Sequence, residues 1–295
     1  MMNKFRLSSN AFERESEEEK ILPKKLFFIS IEGNVTEKQY LQGLSKYRED
    51  LGIDALVNVE VLERRNSDTN SAPSHVIELL EEYLDLRKLD KDDMISEIPA
   101  SLINQFGESV IKQYIEDASQ IEEGKRSSIN TQLTNFGYDL EYRKYLRKFG
   151  GDSDEFCILI DRDIQAHPET NMNNCIIHCK NNGYSCYVTN PCFEFWLLLH
   201  FSNVIEEYAD KLGTIKDNKK VSNAHTYVSN ELSKKAHHGK KIRDFETTYL
   251  PRIDDAITHA KAFPSDVDEL VDNIGCNIWK LIEKMRAFDP TEFIE

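Results

Sequence analysis

No stretch of this chain approaches the ~20 consecutive apolar residues that a helix needs to cross a bilayer, so no membrane span is expected. Met1 to Lys20 has no apolar h-region and does not look like a secretory signal. Several glycine signatures are also missing. Without G-x-x-x-x-G-K-[ST] the chain does not carry its own P-loop ATPase. Without G-x-G-x-x-G or G-x-S-x-G, neither a dinucleotide fold nor a hydrolase elbow is supported. Cysteine is present but lacks the paired C-x2-C knuckles of structural zinc sites. Cys175, Cys179, Cys186 and Cys192 lie close together with His178, so zinc has to be weighed. Their spacing, and their place in or beside apolar segments, favour small buried hydrophobes that stay reduced in a cytoplasmic protein.

Positive charge is scarce too. A net charge of −15 argues against indiscriminate nucleic-acid binding. The deficit is uneven: between Lys216 and Arg243, seven Lys and one Arg stand against Asp217 and Glu231, a local balance of +6. The acidic excess lies in Glu13 to Glu19 and Glu81 to Asp117. With 40% apolar and 30% charged residues in 295, the composition is that of a globular protein of one large or two modest domains.

Residues 1–22 read as a mobile acidic tail. Leu26 to Ile31 is an apolar run suited to a buried strand, closed by Glu32-Gly33 and followed by a helix from Thr36 to about Tyr47. Val57 to Leu62 alternates as a second strand, Asn66 to Ser71 is polar loop, and a helix is expected from Pro73 to Leu86. Residues 23–87 thus form the first part of an α/β core. From Lys88 to Gly150 the pattern is helical, with Ile111, Tyr114 and Ile115 on one stripe and Leu140, Tyr142, Leu146 and Phe149 on another. Such a helical insertion would separate the first part of the core from a second, residues 151–202.

The second part centres on Glu155-Phe-Cys-Ile-Leu-Ile-Asp161-Arg-Asp163. A partly β-branched apolar run of this kind reads as a strand covered on both faces, inside a parallel sheet. Ligands of such sheets sit beyond the carboxyl ends of the strands, where Asp161 and Asp163 fall. Residues two apart on an extended chain share a side, so both carboxylates can face one point while Arg162 faces elsewhere. A helix around Asn174 to Asn182, a strand Ser185 to Thr189, and an apolar helix from Cys192 to Phe201 with Glu194 in its first turn complete this part. Residues 203–295 are expected to be helical, with a basic section and two closing helices, Phe245 to Phe263 and Asp266 to Phe288.

Three acidic positions therefore end strands or open helices: Glu32, the Asp161/Asp163 pair, and Glu194 beside Asn190. Strand ends of a parallel sheet share an edge, so they can converge. Carboxylates that bind Mg²⁺ can clamp a phosphodiester and activate water, and Glu32 could serve as general acid or base. Each has a plainer reading. Glu32 could cap the following helix, and Glu194 equally suits a helix dipole. Trp196, Leu197 and Phe201 suit a core, and His200 is better read as a satisfied buried polar group than as a catalyst.

The chain resembles known proteins at these positions. The strand-Glu-Gly and strand-D-x-D pair is similar to the TOPRIM domain of topoisomerases, primases and OLD-type nucleases. More specifically, Ile31-Glu-Gly-Asn-Val-Thr-Glu-Lys-Gln-Tyr40, Leu159-Ile-Asp-Arg-Asp163 and Asn190-Pro-Cys-Phe-Glu-Phe-Trp-Leu-Leu-Leu-His-Phe201 resemble the RloB family, which includes the AbiLii component of abortive-infection systems. The resemblance covers roughly Leu26 to Phe201. It implies a Rossmann-like TOPRIM fold with a mostly parallel sheet, and a Mg²⁺- or Mn²⁺-dependent nuclease acting on DNA or RNA in phage defence, beside an ABC/SMC-like ATPase. By the same carry-over Glu32 takes the acid/base position and Asp161 and Asp163 bind metal. Glu32 and Glu194 are possible further ligands, with Gly33, Thr36, Glu37 and Asn190 supporting. Lys234, Lys235, Lys240, Lys241 and Arg243 are the candidates for phosphate contact. Primase-like nucleotidyl transfer and a non-catalytic regulatory subunit stay open as alternatives, as does a homo-oligomer.

Overall fold

The structure, a computed structural model, describes residues 25–33, 35–62, 72–88, 95–96, 98–135, 153–236, 242 and 244–293. The acidic tail, the loop at 66–71, the stripe from Leu140 to Phe149, and Lys240, Lys241 and Arg243 lie outside them.

Five strands form one sheet: β1 (Lys25–Ile31), β2 (Val57–Leu62), β3 (Glu155–Asp161), β4 (Ser185–Asn190) and β5 (Gly275–Cys276). Their order is β2-β1-β3-β4-β5, with β5 antiparallel to β4 and all other pairs parallel. Apolar side chains on both faces of β1 and β3 are what such central strands require. Phe27 and Ile29 point to one side and Leu26 and Phe28 to the other, and all are buried.

Phe27, Ile29, Cys157 and Leu159 share a core with α1 (Thr36–Lys46), α7 (Phe193–Leu199), α8 (Tyr227–Ala236), α9 (Ile253–Ala260) and α10 (Ile278–Arg286). On the opposite face the Ser30 hydroxyl donates to the Val76 carbonyl of α2 (Pro73–Lys88). There α2 meets α6 (Glu169–Asn182), whose Cys175 thiol lies over the Pro73 carbonyl. Helices on both faces of a mostly parallel sheet make this an α/β, Rossmann-like fold.

A second compact unit contains α3 (Ala100–Phe106), α4 (Glu108–Asp117) and α5 (Glu123–Asn135). Leu102, Ile111, Tyr114, Ile115, Ile129 and Leu133 form its own core, so the Ile111, Tyr114, Ile115 stripe is indeed its buried side.

The C-terminal helices differ from expectation. The span Phe245 to Phe263 is three short pieces, because Pro251 cannot continue a helix entered from Phe245. The span Asp266 to Phe288 is broken by β5, where Gly275 takes a φ of 157° and lies against the Pro264 carbonyl. A two-residue strand leaves no periodicity to read. Helix α6 starts at Glu169, five residues before the expected Asn174, directly after Pro168. All six cysteines are free thiols; Cys175, Cys179 and Cys192 are buried and Cys186 is half-buried.

Candidate functional site

From β1 the chain moves outward to β2, then returns past β1 to β3 and moves outward the other way to β4. The strand order therefore reverses between β1 and β3. The crevice beyond their carboxyl ends is the switch point at which open α/β sheets place ligands. Glu32 follows β1 and Asp161 ends β3, so the two sit at that point from opposite sides.

Strand periodicity decides which side chains enter. Asp161 shares the face of Cys157 and Leu159, the face covered by α1 and α7. Glu37 lies in the first turn of α1 and Glu194 in the first turn of α7. Thr189, opposite Asp161 in the β3–β4 register, donates its hydroxyl to Asp161 Oδ1 at 2.5 Å. The backbone N–H of Asp161 donates to Glu32 Oε2 at 3.1 Å. Burial raises the Asp161 carboxyl well above the usual range, and Glu37, Glu32 and Glu194 raise it further; the Thr189 bond opposes this in part. Three carboxylates, Glu32 just after β1 and Glu37 and Glu194 in the first turns of α1 and α7, thus act on Asp161.

Gly33 is required by the closeness of Glu37. A Cβ at position 33 would stand 2.2 Å from Glu37 Oε2. Thr36 is the first residue of α1, with Val35 before it as the cap residue. Asn190 is fully buried on the other face; its amide donates to the Leu270 carbonyl at 2.8 Å, and its Oδ1 has no hydrogen-bond partner among the described residues. It props the end of β4, and the peptide bond to Pro191 is cis.

Asp163 behaves differently from its partner. The strand ends at Asp161, so the period of two no longer applies one residue further on. Asp163 is exposed, and its Oδ1 accepts from the backbone N–H groups of Gln165 and Ala166 at 3.0 and 3.3 Å. Arg162 does face elsewhere: it is buried, donating to the Val271 carbonyl at 2.7 Å and the His167 carbonyl at 3.0 Å.

His167 was not singled out by the sequence. Its Nε2 lies 3.0 Å from Glu32 Oε1, and both side chains are largely buried. The only sequence signal was a His four residues past the D-x-D, inside an apparent loop. His200 is a core residue as expected: its Nδ1 faces the Trp196 carbonyl at 3.0 Å, and Tyr40 donates to Nε2 at 3.1 Å. Lys234 pairs with Glu231, and Lys235 with Glu207. The N–H of Ile242, which lies between Lys241 and Arg243 in the sequence, donates to Gln39 on α1 at 3.0 Å.

A model of the family described as RloB-like protein matches residues 27–285. The chain belongs to the RloB-like family. The match runs beyond Phe201 through the C-terminal helices to α10, so the whole sheet and its covering belong to the family pattern. Membership points to a defence-associated protein. No curated protein and no solved structure gave a significant match.

For a divalent cation, the donors on offer are hard carboxylate oxygens, which suit Mg²⁺ or Mn²⁺ rather than zinc. Glu37, Asp161 and Glu194, with Glu32 beside them, are the residues that could hold one. Among the described residues no three His, Cys, Asp or Glu side chains are already drawn together as a coordination sphere. The same set of residues also shows no helix long and apolar enough to cross a membrane.

Proposed function

We propose that this chain is a metal-dependent phosphodiesterase that cleaves DNA or RNA in anti-phage defence. The observation that carries the reading is the place of Glu32 and half-buried Asp161 at the switch point of the sheet, joined by the bond from the Asp161 N–H to Glu32 Oε2, with Glu37 and Glu194 in the first turns of the helices that cover this face. Like charges that raise one another's cost at half-buried positions are relieved by a cation between them. A bound Mg²⁺ or Mn²⁺ would polarise the scissile phosphate and make water a better nucleophile.

The chain's own residues divide the remaining work. Asp161, Glu32, Glu37 and Glu194 would hold the cation, and Thr189 keeps Asp161 in its rotamer. Glu32 would also pass a proton to or from the bridging oxygen as general acid or base. Asp163, on the exposed turn, is a further candidate ligand. Lys240, Lys241 and Arg243, which lie outside the described residues, are assigned to the phosphate backbone on the sequence's basic section alone. Lys234 and Lys235 would have to leave exposed ion pairs to do the same, a small cost for pairs of this kind. ATP hydrolysis would come from a separate ABC/SMC-like ATPase, since this chain has no P-loop.

The test incubates the purified protein with Mg²⁺ or Mn²⁺ and a panel of plasmid, single-stranded DNA, total RNA and tRNA, with and without a co-expressed ATPase. Cleavage abolished by EDTA and by Asp161→Ala is the expected result and identifies the substrate. Incorporation of labelled NTPs would instead assign nucleotidyl transfer. Partner assembly that survives Asp161→Ala and Glu32→Gln, with no cleavage under any condition, would make this a binding subunit.

A further inference from the structure

The turn after β3 is built to return one side chain to the site. Asp163 O accepts from the N–H groups of Ala166 and His167 at 3.1 and 2.9 Å, closing residues 163–167 into a single turn. Pro168 then caps α6 and fixes where the turn must end. Arg162 holds the turn from beneath. Its guanidinium is buried and spans the His167 carbonyl and the Val271 carbonyl, which anchors the turn to the segment leading into β5. The described contacts of this guanidinium are to these two backbone carbonyls. A buried cation so used is an architectural brace rather than a substrate contact.

The outcome is that the His167 imidazole, itself buried, meets Glu32 Oε1 at 3.0 Å while the Asp161 N–H meets Oε2 at 3.1 Å. An ionised carboxylate only accepts hydrogen bonds, so His167 donates through Nε2.

We propose that His167 is a positioning residue for Glu32, braced by Arg162, and that it aims the Glu32 carboxylate into the crevice. The proposal rests on the divalent-cation reading above. Hydrogen bonds from outside a metal's own ligands orient those ligands, and losing one costs about 10–100-fold in affinity or activity. His167 acts in that way, through its N–H and not through contact with the substrate.

The experiment measures Mn²⁺ binding to the full chain without nucleic acid, by calorimetry and by the electron paramagnetic resonance signal of free Mn²⁺. Thermal melting checks that each variant is folded. His167→Ala and His167→Phe, neither of which can donate, are expected to weaken binding by about tenfold or more. His167→Gln, which offers an amide N–H, is expected to restore most of it. In a Glu32→Ala background the change at 167 should have no further effect, because the group it orients is gone. Should His167→Ala fold poorly, the Phe and Gln pair decides. Tight binding by wild type that His167→Phe leaves unchanged would overturn the proposal and leave the cation reading standing. Absence of Mn²⁺ binding by wild type would overturn the cation reading and this proposal with it.

Discussion

The Thr189 hydroxyl donates to Asp161 Oδ1 across the β3–β4 pair, within a register that places the two residues directly opposite. This one bond opposes the burial and the three neighbouring glutamates that push the Asp161 carboxyl upward. In ion-free protein the charged form of Asp161 is therefore disfavoured. Asp161→Asn keeps an acceptor for Thr189 and removes the charge, so without divalent cation the variant should melt higher than wild type. For a unit of this size the rise is about 2–4 °C per kcal/mol relieved. Mn²⁺ should raise the wild-type melting temperature and leave the variant's almost unchanged. A variant that melts lower than wild type without cation would contradict the charge argument.

Gly33→Ala probes the same site without touching a carboxylate. The added Cβ would collide with the Glu37 carboxylate, the far end of a flexible side chain that can swing aside. Folding stability should therefore change by under about 1 kcal/mol, while Mn²⁺ affinity and any cleavage fall about tenfold or more as Glu37 leaves the cluster. Melting and calorimetry on one sample separate the two effects.

Gly43→Ala should do the reverse. A Cβ there would stand 2.4 Å from the Phe245 ring, which is buried and packs against both Tyr40 and Tyr47. Overpacking a filled core costs about 1–3 kcal/mol, which chemical denaturation would register. Cation binding by the folded fraction should be unaffected, because Glu37 stays where it is.

His200 supplies a pH dependence with a defined sign. Burial, opposed in part by backbone bonds to Trp196 and Leu197, lowers its pKa from 6.5 to about 3. Between those values the unfolded chain binds a proton that the folded one refuses. This contribution to stability is present above pH 6.5 and is lost as pH falls from 6.5 toward 3, at up to about 1.4 kcal/mol per pH unit. His200→Gln, which has no titratable group, should be less stable than wild type at neutral pH, with the gap narrowing as pH falls. A gap that stays constant from neutral to acid would show that His200 is not the titrating group. Tyr40→Phe, which removes the hydroxyl that donates to His200 Nε2, should cost about 1–2 kcal/mol at neutral pH.

Much of this molecule was legible from local pattern. The strands Val57–Leu62 and Glu155–Asp161, the helix opened by Thr36, and Glu194 in the first turn of its helix all follow from period and punctuation, which neighbours in sequence carry. Glu32 and Asp161 were legible as a pair because parallel strands share an edge, whatever else the fold does. The convergence of Glu37 with them was not. Its place depends on how α1 lies against the sheet, and the sequence showed it only as a residue beside Thr36. Asp163 lies on an exposed turn rather than on the strand face of Asp161, because the two-residue period holds only while the strand lasts, and it ends at Asp161. His167, Arg162 and Val271 are linked through a turn, a buried guanidinium and a carbonyl 109 positions away, and β5 is two residues long. Local propensity determined which elements form and which carboxylates end them. Only the packing of α1, α7 and the turn at 163–167 decided which carboxylates meet and which side chain aims them, because hydrogen bonds between distant segments leave no periodic trace in the chain.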